Sequence, residues 1–268
     1  MSRERFFKSP DLSFAECRCS SRSERRYKPH IHKTFCVGAI DQGEVSFRIG
    51  DRVERLRPGS LALINPETLH ACNPAGSGGR SYYVLYLDAL WCSRLRARLG
   101  LGESSGLVDA VSLDDEAVYR RYVGVLEFLM GEGSPREKEA ALVGLAKEIL
   151  LHACGPRPGA SVASGHVGEM KARLGADLDE DVSTERIALD LGANPYTLLR
   201  KFKAATGLTP HAYRMNCRIE RARDLLRDGW EPSRVALECG FFDQSHLHRN
   251  FKAMTAVTPR EYQVNFVQ

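Results

Sequence analysis

Apolar and polar residues alternate with a period of two through the first third of the chain. Val45-Ser46-Phe47-Arg48-Ile49 puts its apolar side chains on one face, and Gly50-Asp51 follows as a turn signal. Arg57-Pro58-Gly59-Ser60 reads as another turn, Leu61-Ala62-Leu63-Ile64 as a short buried run, and Asn65-Pro66 ends it. Tyr82 to Leu87 is a further aromatic, β-favouring stretch. Short strands punctuated by Gly and Pro between about Tyr27 and Asp88 predict a small β-barrel or sandwich.

The period then changes. Val118, Tyr122, Val125 and Leu129 recur at helical spacing after the acidic start Asp114-Asp115-Glu116. Gly131 to Ser134 breaks the pattern, Pro135 suits a first helical turn, and Leu142, Leu145, Ile149 and Cys154 form a second stripe. An antiparallel helix pair over 114–154 is expected. Gly155 to Gly165 is rich in Gly, Pro, Ser and Ala, and predicts a linker. The expected organisation is a β-rich domain with its helix pair over 1–155, a linker over 156–165 and a helical domain over 166–268.

The helical domain repeats itself. Ala188-Leu189-Asp190-Leu191-Gly192 returns as Ala236-Leu237-Glu238-Cys239-Gly240, and Leu198-Leu199-Arg200-Lys201-Phe202-Lys203 as Leu247-His248-Arg249-Asn250-Phe251-Lys252. Thr206-Gly207-Leu208-Thr209-Pro210 with Tyr213 returns as Thr255-Ala256-Val257-Thr258-Pro259 with Tyr262. The offset is 48 before the turn glycine and 49 after it, so the second copy gains one residue there. In the first copy Ser183 is an N-cap, Ile187, Ala188 and Leu191 form an inner stripe, and Gly192 ends the helix. Asn194 and Pro195 then start a second helix, which makes a helix-turn-helix unit.

Projected at about 100° per residue, the second helix turns Leu198, Phe202 and Ala205 inward. Tyr196, Thr197, Arg200 and Lys203 face outward with Leu199 on the flank. In the second copy Leu247, Phe251 and Met254 point in, while Ser245, Arg249 and Lys252 point out, flanked by Gln244 and His248. Arg suits bidentate contact with guanine, Gln suits adenine and Lys suits phosphate, so these ten residues are the candidate DNA readers. A connecting helix from about Pro210 to Arg227 spans about 27 Å, enough to carry two reading helices to successive major grooves. It also carries Arg214, Arg218, Arg221, Arg223 and Arg227.

Composition changes this picture little. The 268 residues are 43% apolar and 27% charged, as in globular proteins, and the net charge of +4 points only weakly to nucleic acid. No signal-peptide stretch and no apolar run of about 20 residues is present, so a cytoplasmic location without a membrane is expected. The eight cysteines show no C-x-x-C spacing and read as free thiols.

The run from Ser183 to Tyr262 resembles the AraC/XylS family of bacterial transcription regulators, most strongly at Gly240-Phe241, Asp243-Gln244-Ser245-His246, Phe251-Lys252 and Thr258-Pro259. The N-terminal region is similar to the cupin-like sensor domain of that family through Pro29-His30-Ile31-His32, Gly43, Arg57 to Pro66 and His70. The resemblance implies a multi-domain α+β protein: a cupin-like β-barrel with a helical pair, then an all-α tandem helix-turn-helix domain. It implies double-stranded promoter or operator DNA and a small-molecule effector as partners, a homodimer through the helical pair, and RNA polymerase as a further candidate partner. His30, His32, His70, Tyr82 and Tyr86 are the candidate effector-binding residues. The three histidines also read as metal ligands or as structural residues. No acid follows the His-x-His pair closely, so no metal and no cofactor is expected. No nucleophile–base–acid set appears, which speaks against an acyl-transfer enzyme. Two alternatives stay open: a cupin metalloenzyme fused to a DNA-binding domain, and an architectural DNA binder whose barrel is filled by side chains.

Overall fold

A computed structural model describes residues 3–76, 78–101, 106–154, 165–179, 182–264 and 266–267. The chain forms two compact units, one from Met1–Arg26, Lys33–Ala160 and Asn265–Gln268, the other from Tyr27–His32 and Ser161–Val264. The linker expected at 156–165 lies outside the described residues except for Gly165.

The first unit contains β1 (Arg3–Lys8), β2 (Ala15–Ser23), β3 (Phe35–Gln42), β4 (Val45–Ile49), β5 (Arg52–Leu56), β6 (Leu61–Ile64), β7 (His70–Pro74) and β8 (Arg80–Leu87). After these come α1 (Ala89–Arg98), β9 (Ser112–Leu113), α2 (Glu116–Met130), α3 (Pro135–Ala153) and, from the chain end, the short strand β10 (Phe266–Val267). One sheet runs in the order β10-β1-β2-β8-β3-β6-β9, the other in the order β5-β4-β7.

Strand alternation divides the core in two. Cys36, Ile40, Ala62, Ile64 and Tyr82 of the large sheet pack against Val45, Phe47, Ile49 and Leu56 of the small one. On the opposite face of the large sheet, Val37, Ala39, Leu63 and Leu85 pack against Tyr122, Leu126, Leu145 and Ile149 of the helical pair. Two tyrosines bolt α2 to β3: Tyr122 donates to the Val37 carbonyl at 2.6 Å and Tyr119 to the Ile40 carbonyl at 3.0 Å. The Asp115 carboxylate caps the start of α2, and Ser134 with Glu137 forms a capping box at α3.

The β-rich region is larger than the alternation pattern predicts. It begins at Arg3, and β1, β2 and α1 were not legible as elements. The reason is chemical. The inward side of β2 is polar, with Glu16, Arg18, Ser20 and Ser23 all buried. Arg18 Nε donates to Glu4 Oε2 at 2.9 Å, and the Ser20 hydroxyl donates to Glu4 Oε1 at 2.8 Å. An ion pair with 4% side-chain exposure on both partners therefore fills part of the barrel interior. The helical stripe also shifts by one residue, because Leu126 rather than Val125 completes the buried face of α2. Both stripes turn onto the sheet, so no second chain is needed to cover them; Leu151 is the large apolar residue α3 leaves exposed.

The second unit contains α4 (His166–Gly175), α5 (Thr184–Asp190), α6 (Pro195–Thr206), α7 (Pro210–Arg227), α8 (Pro232–Glu238), α9 (Gln244–Thr255) and α10 (Pro259–Val264). Helices α5–α6 and α8–α9 are the two helix-turn-helix units, and α7 joins them over the expected residues. Met170 and Leu174 bury α4, which precedes the repeats.

Candidate nucleic-acid interface

The second helix of each helix-turn-helix unit is fixed by the same devices in both copies. Asn194 caps α6 by accepting the Thr197 N–H at 3.1 Å, and Asp243 caps α9 by accepting the His246 N–H. Leu198 and Phe202, like Leu247 and Phe251, are fully buried. Tyr213 meets Phe202 edge-on at 5.4 Å, and Tyr262 meets Phe251 at 5.5 Å. At the helix ends, Thr206 Oγ1 accepts the Leu208 N–H at 3.1 Å and Thr255 Oγ1 accepts the Val257 N–H at 3.4 Å. This corrects one expectation: Ala205 is exposed, and Thr206 takes the inward position because its hydroxyl closes a local ring that also reaches the Phe202 carbonyl.

The opposite faces are open. Tyr196, Thr197, Arg200 and Lys203 on α6 are exposed, with Leu199 half-buried. Gln244, Ser245, His248, Arg249 and Lys252 on α9 are exposed. Among the described residues no ion pair involves Arg200, Lys203, Arg249 or Lys252. Elsewhere in this unit several cations are committed. Arg173 bridges Glu169 and Asp190, and Arg186 pairs with Asp190. Arg214 is buried and donates to the carbonyls of Leu174, Ala176 and Asp177 at 2.7–3.2 Å. Arg218 donates to Leu178 at 2.9 Å, Arg223 pairs with Glu220, and Arg227 with Asp224. Of the five connector arginines, Arg221 alone is exposed. The basic sequence of α7 is thus mostly structural, and the uncommitted positive charge on α6 and α9 is joined by exposed Arg221 of α7 and Arg260 of α10.

One exposed residue was not singled out by the sequence. Phe242, 88% exposed, lies between the turn glycine Gly240 and the cap Asp243. It is the residue the second copy gains, so the change of offset was its signal. Its N–H donates to His246 Nδ1 at 3.4 Å, and the His246 ring meets buried Phe241 at 5.4 Å, which fixes the turn.

The five candidate effector residues divide between the units. His70, Tyr82 and Tyr86 belong to the first, His70 at the start of β7 and the tyrosines on β8. His70 is buried with Nδ1 2.9 Å from the Thr68 carbonyl, and Tyr82 lies beneath the Arg80 guanidinium at 4.9 Å. His30 and His32 belong to the second unit, on the segment Tyr27–His32. There the Lys28 N–H donates to the Ala253 carbonyl of α9 and the Ile31 N–H to Asn216 Oδ1 of α7, both at 3.0 Å. Among the described residues no three His, Cys, Asp or Glu side chains gather as a metal-ligand set.

A β-rich sensing unit joined to a tandem helix-turn-helix unit defines a transcriptional regulator with an N-terminal ligand-binding domain. A family model for the AraC-like ligand-binding domain matches residues 14–149, and one for a helix-turn-helix domain matches 187–265. The chain belongs to the AraC family. It is 26% identical over 227 residues to YbfI of Bacillus subtilis (strain 168), an uncharacterized HTH-type transcriptional regulator, covering 83% of this chain and 82% of that protein. A shorter likeness, 37% over 68 residues, links 25% of this chain to 19% of the bifunctional transcriptional activator/DNA repair enzyme Ada of Escherichia coli K12. In fold it is similar to ToxT of Vibrio cholerae. A 1.65 Å ToxT structure gives a TM-score of 0.62 at 12% identity, covering 100% of this chain and 99% of that one. ToxT with a bound unsaturated fatty acid gives 0.65 at 13%, covering 98% and 94%.

Proposed function

We propose that this chain reads promoter or operator DNA with α6 and α9, through Tyr196, Thr197, Leu199, Arg200 and Lys203 and through Gln244, Ser245, His248, Arg249 and Lys252. The observation that carries this reading is the pairing of uncommitted cations at equivalent positions of the two helices, Arg200 with Arg249 and Lys203 with Lys252. Exposed Arg and Lys without intramolecular partners bind phosphate and base edges at no cost in broken salt bridges. A small molecule held by the first unit, at a site drawing on His70, Tyr82 and Tyr86, changes that affinity. The ToxT structure of similar fold carries a fatty acid, which supports small-molecule control in this architecture. His30 and His32 lie in the second unit, on the segment Tyr27–His32. Homodimerisation through the helical pair, contact with RNA polymerase and a cytoplasmic location belong to the same reading. No described helix is long and apolar enough to cross a membrane.

A second reading has one observation behind it. The space between the sheets is packed by Val45, Phe47, Ile40, Tyr82 and the Glu4–Arg18 pair, as expected of a DNA binder without an effector. Selection of bound sequences from a random DNA pool, repeated with and without a small-molecule cell extract, tests both. Recovery of one motif whose affinity the extract shifts supports control by an effector. Recovery of a motif that the extract leaves unchanged supports the second reading, and no motif sinks the assignment of α6 and α9.

A further inference from the structure

The side chains that fill the space between the sheets leave a cavity elsewhere in the first unit. Both β2 and β3 lose register against β8 at the same end, between Ser20 and Ser23 and between Ile40 and Gln42. Bulges of this kind free backbone groups and re-aim side chains. Arg22, the bulged residue of β2, has φ +51, in the left-handed region that a non-glycine residue rarely takes, and its N–H donates to Ser81 Oγ at 3.2 Å. The backbone there is held from two further turns. A Cβ on Gly79 would stand 2.8 Å from the Arg22 carbonyl oxygen, and one on Gly43 would stand 2.9 Å from the Gly79 oxygen. Backbone strain persists where the surroundings over-determine it, and such places cluster at binding sites.

The cavity that opens between these strand ends has a volume of about 240 Å³. Its walls carry Arg5 from β1, Arg22 from β2, Asp41 from β3, and Ser81 and Tyr83 from β8. Among the described residues neither Arg22 nor Asp41 belongs to a salt bridge, and the Arg22 side chain is exposed. The Tyr83 hydroxyl donates to Glu127 Oε1 of α2 at 2.9 Å, which links the cavity wall to the helical pair.

We propose that this cavity is the effector site and that it takes a small zwitterion of the free amino-acid class. Two guanidinium groups suit a carboxylate, which accepts charge-assisted hydrogen bonds from them. Asp41 suits an ammonium group, and the serine hydroxyls complete its shell. The volume is below the range of about 300–1,000 Å³ that drug-sized ligands occupy, and it fits one small metabolite. A ligand lying against Tyr83 acts on α2 through the Tyr83–Glu127 bond, so occupancy is transmitted to the helices that pack on the sheet. The proposal rests on the reading that the first unit senses an effector, and it moves the site from the barrel interior to the strand ends.

The test is calorimetric titration of the full chain with single L-amino acids, with matched carboxylic acids lacking the amine, and with matched amines lacking the carboxylate. At least one amino acid binds more tightly than both of its matched halves. Arg22→Ala and Asp41→Asn each weaken that binding about tenfold or more. Arg48→Ala, on an exposed position of β4, leaves it unchanged. Circular dichroism and binding to the selected DNA motif show that each variant is folded. Absence of binding by every amino acid, equal binding by the amine-free acids, or binding that survives both substitutions overturns the proposal. A cell extract that shifts DNA affinity where amino acids do not overturns the cavity assignment alone; an extract without effect removes the effector reading as well.

Discussion

Gly240 packs directly on the backbone at Leu178. A Cβ at position 240 would fall far inside contact distance of the Leu178 carbonyl oxygen and 2.9 Å from Asp179 Cα. The same loop is gripped by Arg214 and Arg218 of α7, so the turn of the second helix-turn-helix unit, the connector and the loop after α4 share one junction. The matching glycine of the first unit, Gly192, has a similar left-handed φ of +62 but open space where its Cβ would go.

These two positions therefore respond differently to alanine. Gly192→Ala carries only the left-handed backbone cost, about 1 kcal/mol. Gly240→Ala adds a collision with backbone that has no side-chain freedom to relieve it, and costs about 3 kcal/mol or more. Chemical denaturation of the two variants, followed by tryptophan fluorescence and circular dichroism, measures the difference. Equal losses would show that the junction at Leu178 gives way freely.

Arg200 and Arg249 separate from Arg214 in the same manner. Replacing either outward arginine with Ala weakens specific DNA binding by about 1–3 kcal/mol and leaves stability unchanged. The relaxed positions in the two specificity profiles lie about 10 base pairs apart. Arg214→Ala removes three bonds to carbonyls in a buried setting and lowers stability first. Unchanged profiles for both outward variants would remove these helices from the reading role.

Ala256 holds the left-handed position after α9, at φ +61, where Gly207 holds the equivalent place after α6 at φ +71. Glycine adopts this conformation without the Cβ penalty of about 1–2 kcal/mol, while the buried methyl contributes about 0.8 kcal/mol. Ala256→Gly accordingly raises stability by about 0.2–1.2 kcal/mol. A lowered denaturation midpoint would mean that the methyl packing outweighs the backbone cost.

The helical domain was legible because its two structural periods are carried by apolar residues. Leu198 with Phe202 and Leu247 with Phe251 mark the inner face, and everything opposite them is exposed. β2 was not legible because its inward side chains are Glu16, Arg18, Ser20 and Ser23, which a hydrophobic pattern reads as solvated loop. The arginines of α7 show the same limit from the other side. Their carbonyl partners at Leu174 to Leu178 are about 40 residues away in sequence, and only the packed structure reveals them. The His-x-His motif at His30 and His32 was visible, but its place in the second unit depends on bonds to Asn216 and Ala253 that no local pattern encodes.

Cys239 gives the unit a defined alkaline limit. It is fully buried beside the turn glycine, and burial, the largest influence, pushes its thiol up to about 12. In the unfolded chain the same thiol ionises near roughly 8.5. Below that value both states hold the proton and stability does not depend on it. Between roughly 8.5 and 12 the unfolded state loses the proton while the folded state keeps it, so the unfolded form is favoured by about 1.4 kcal/mol per pH unit for this group. Stability therefore falls as pH rises above roughly 8.5. Cys239→Ala removes the titrating group and flattens the decline, at the cost of lower stability at neutral pH from lost packing. Denaturation midpoints of the wild-type chain and the variant, compared at neutral pH and at pH about 10, check this. The gap between them narrows at the higher pH. A gap that stays constant, or alkylation of Cys239 in the folded chain as fast as in a small thiol, would show that water reaches the sulfur and that burial does not hold the proton on it.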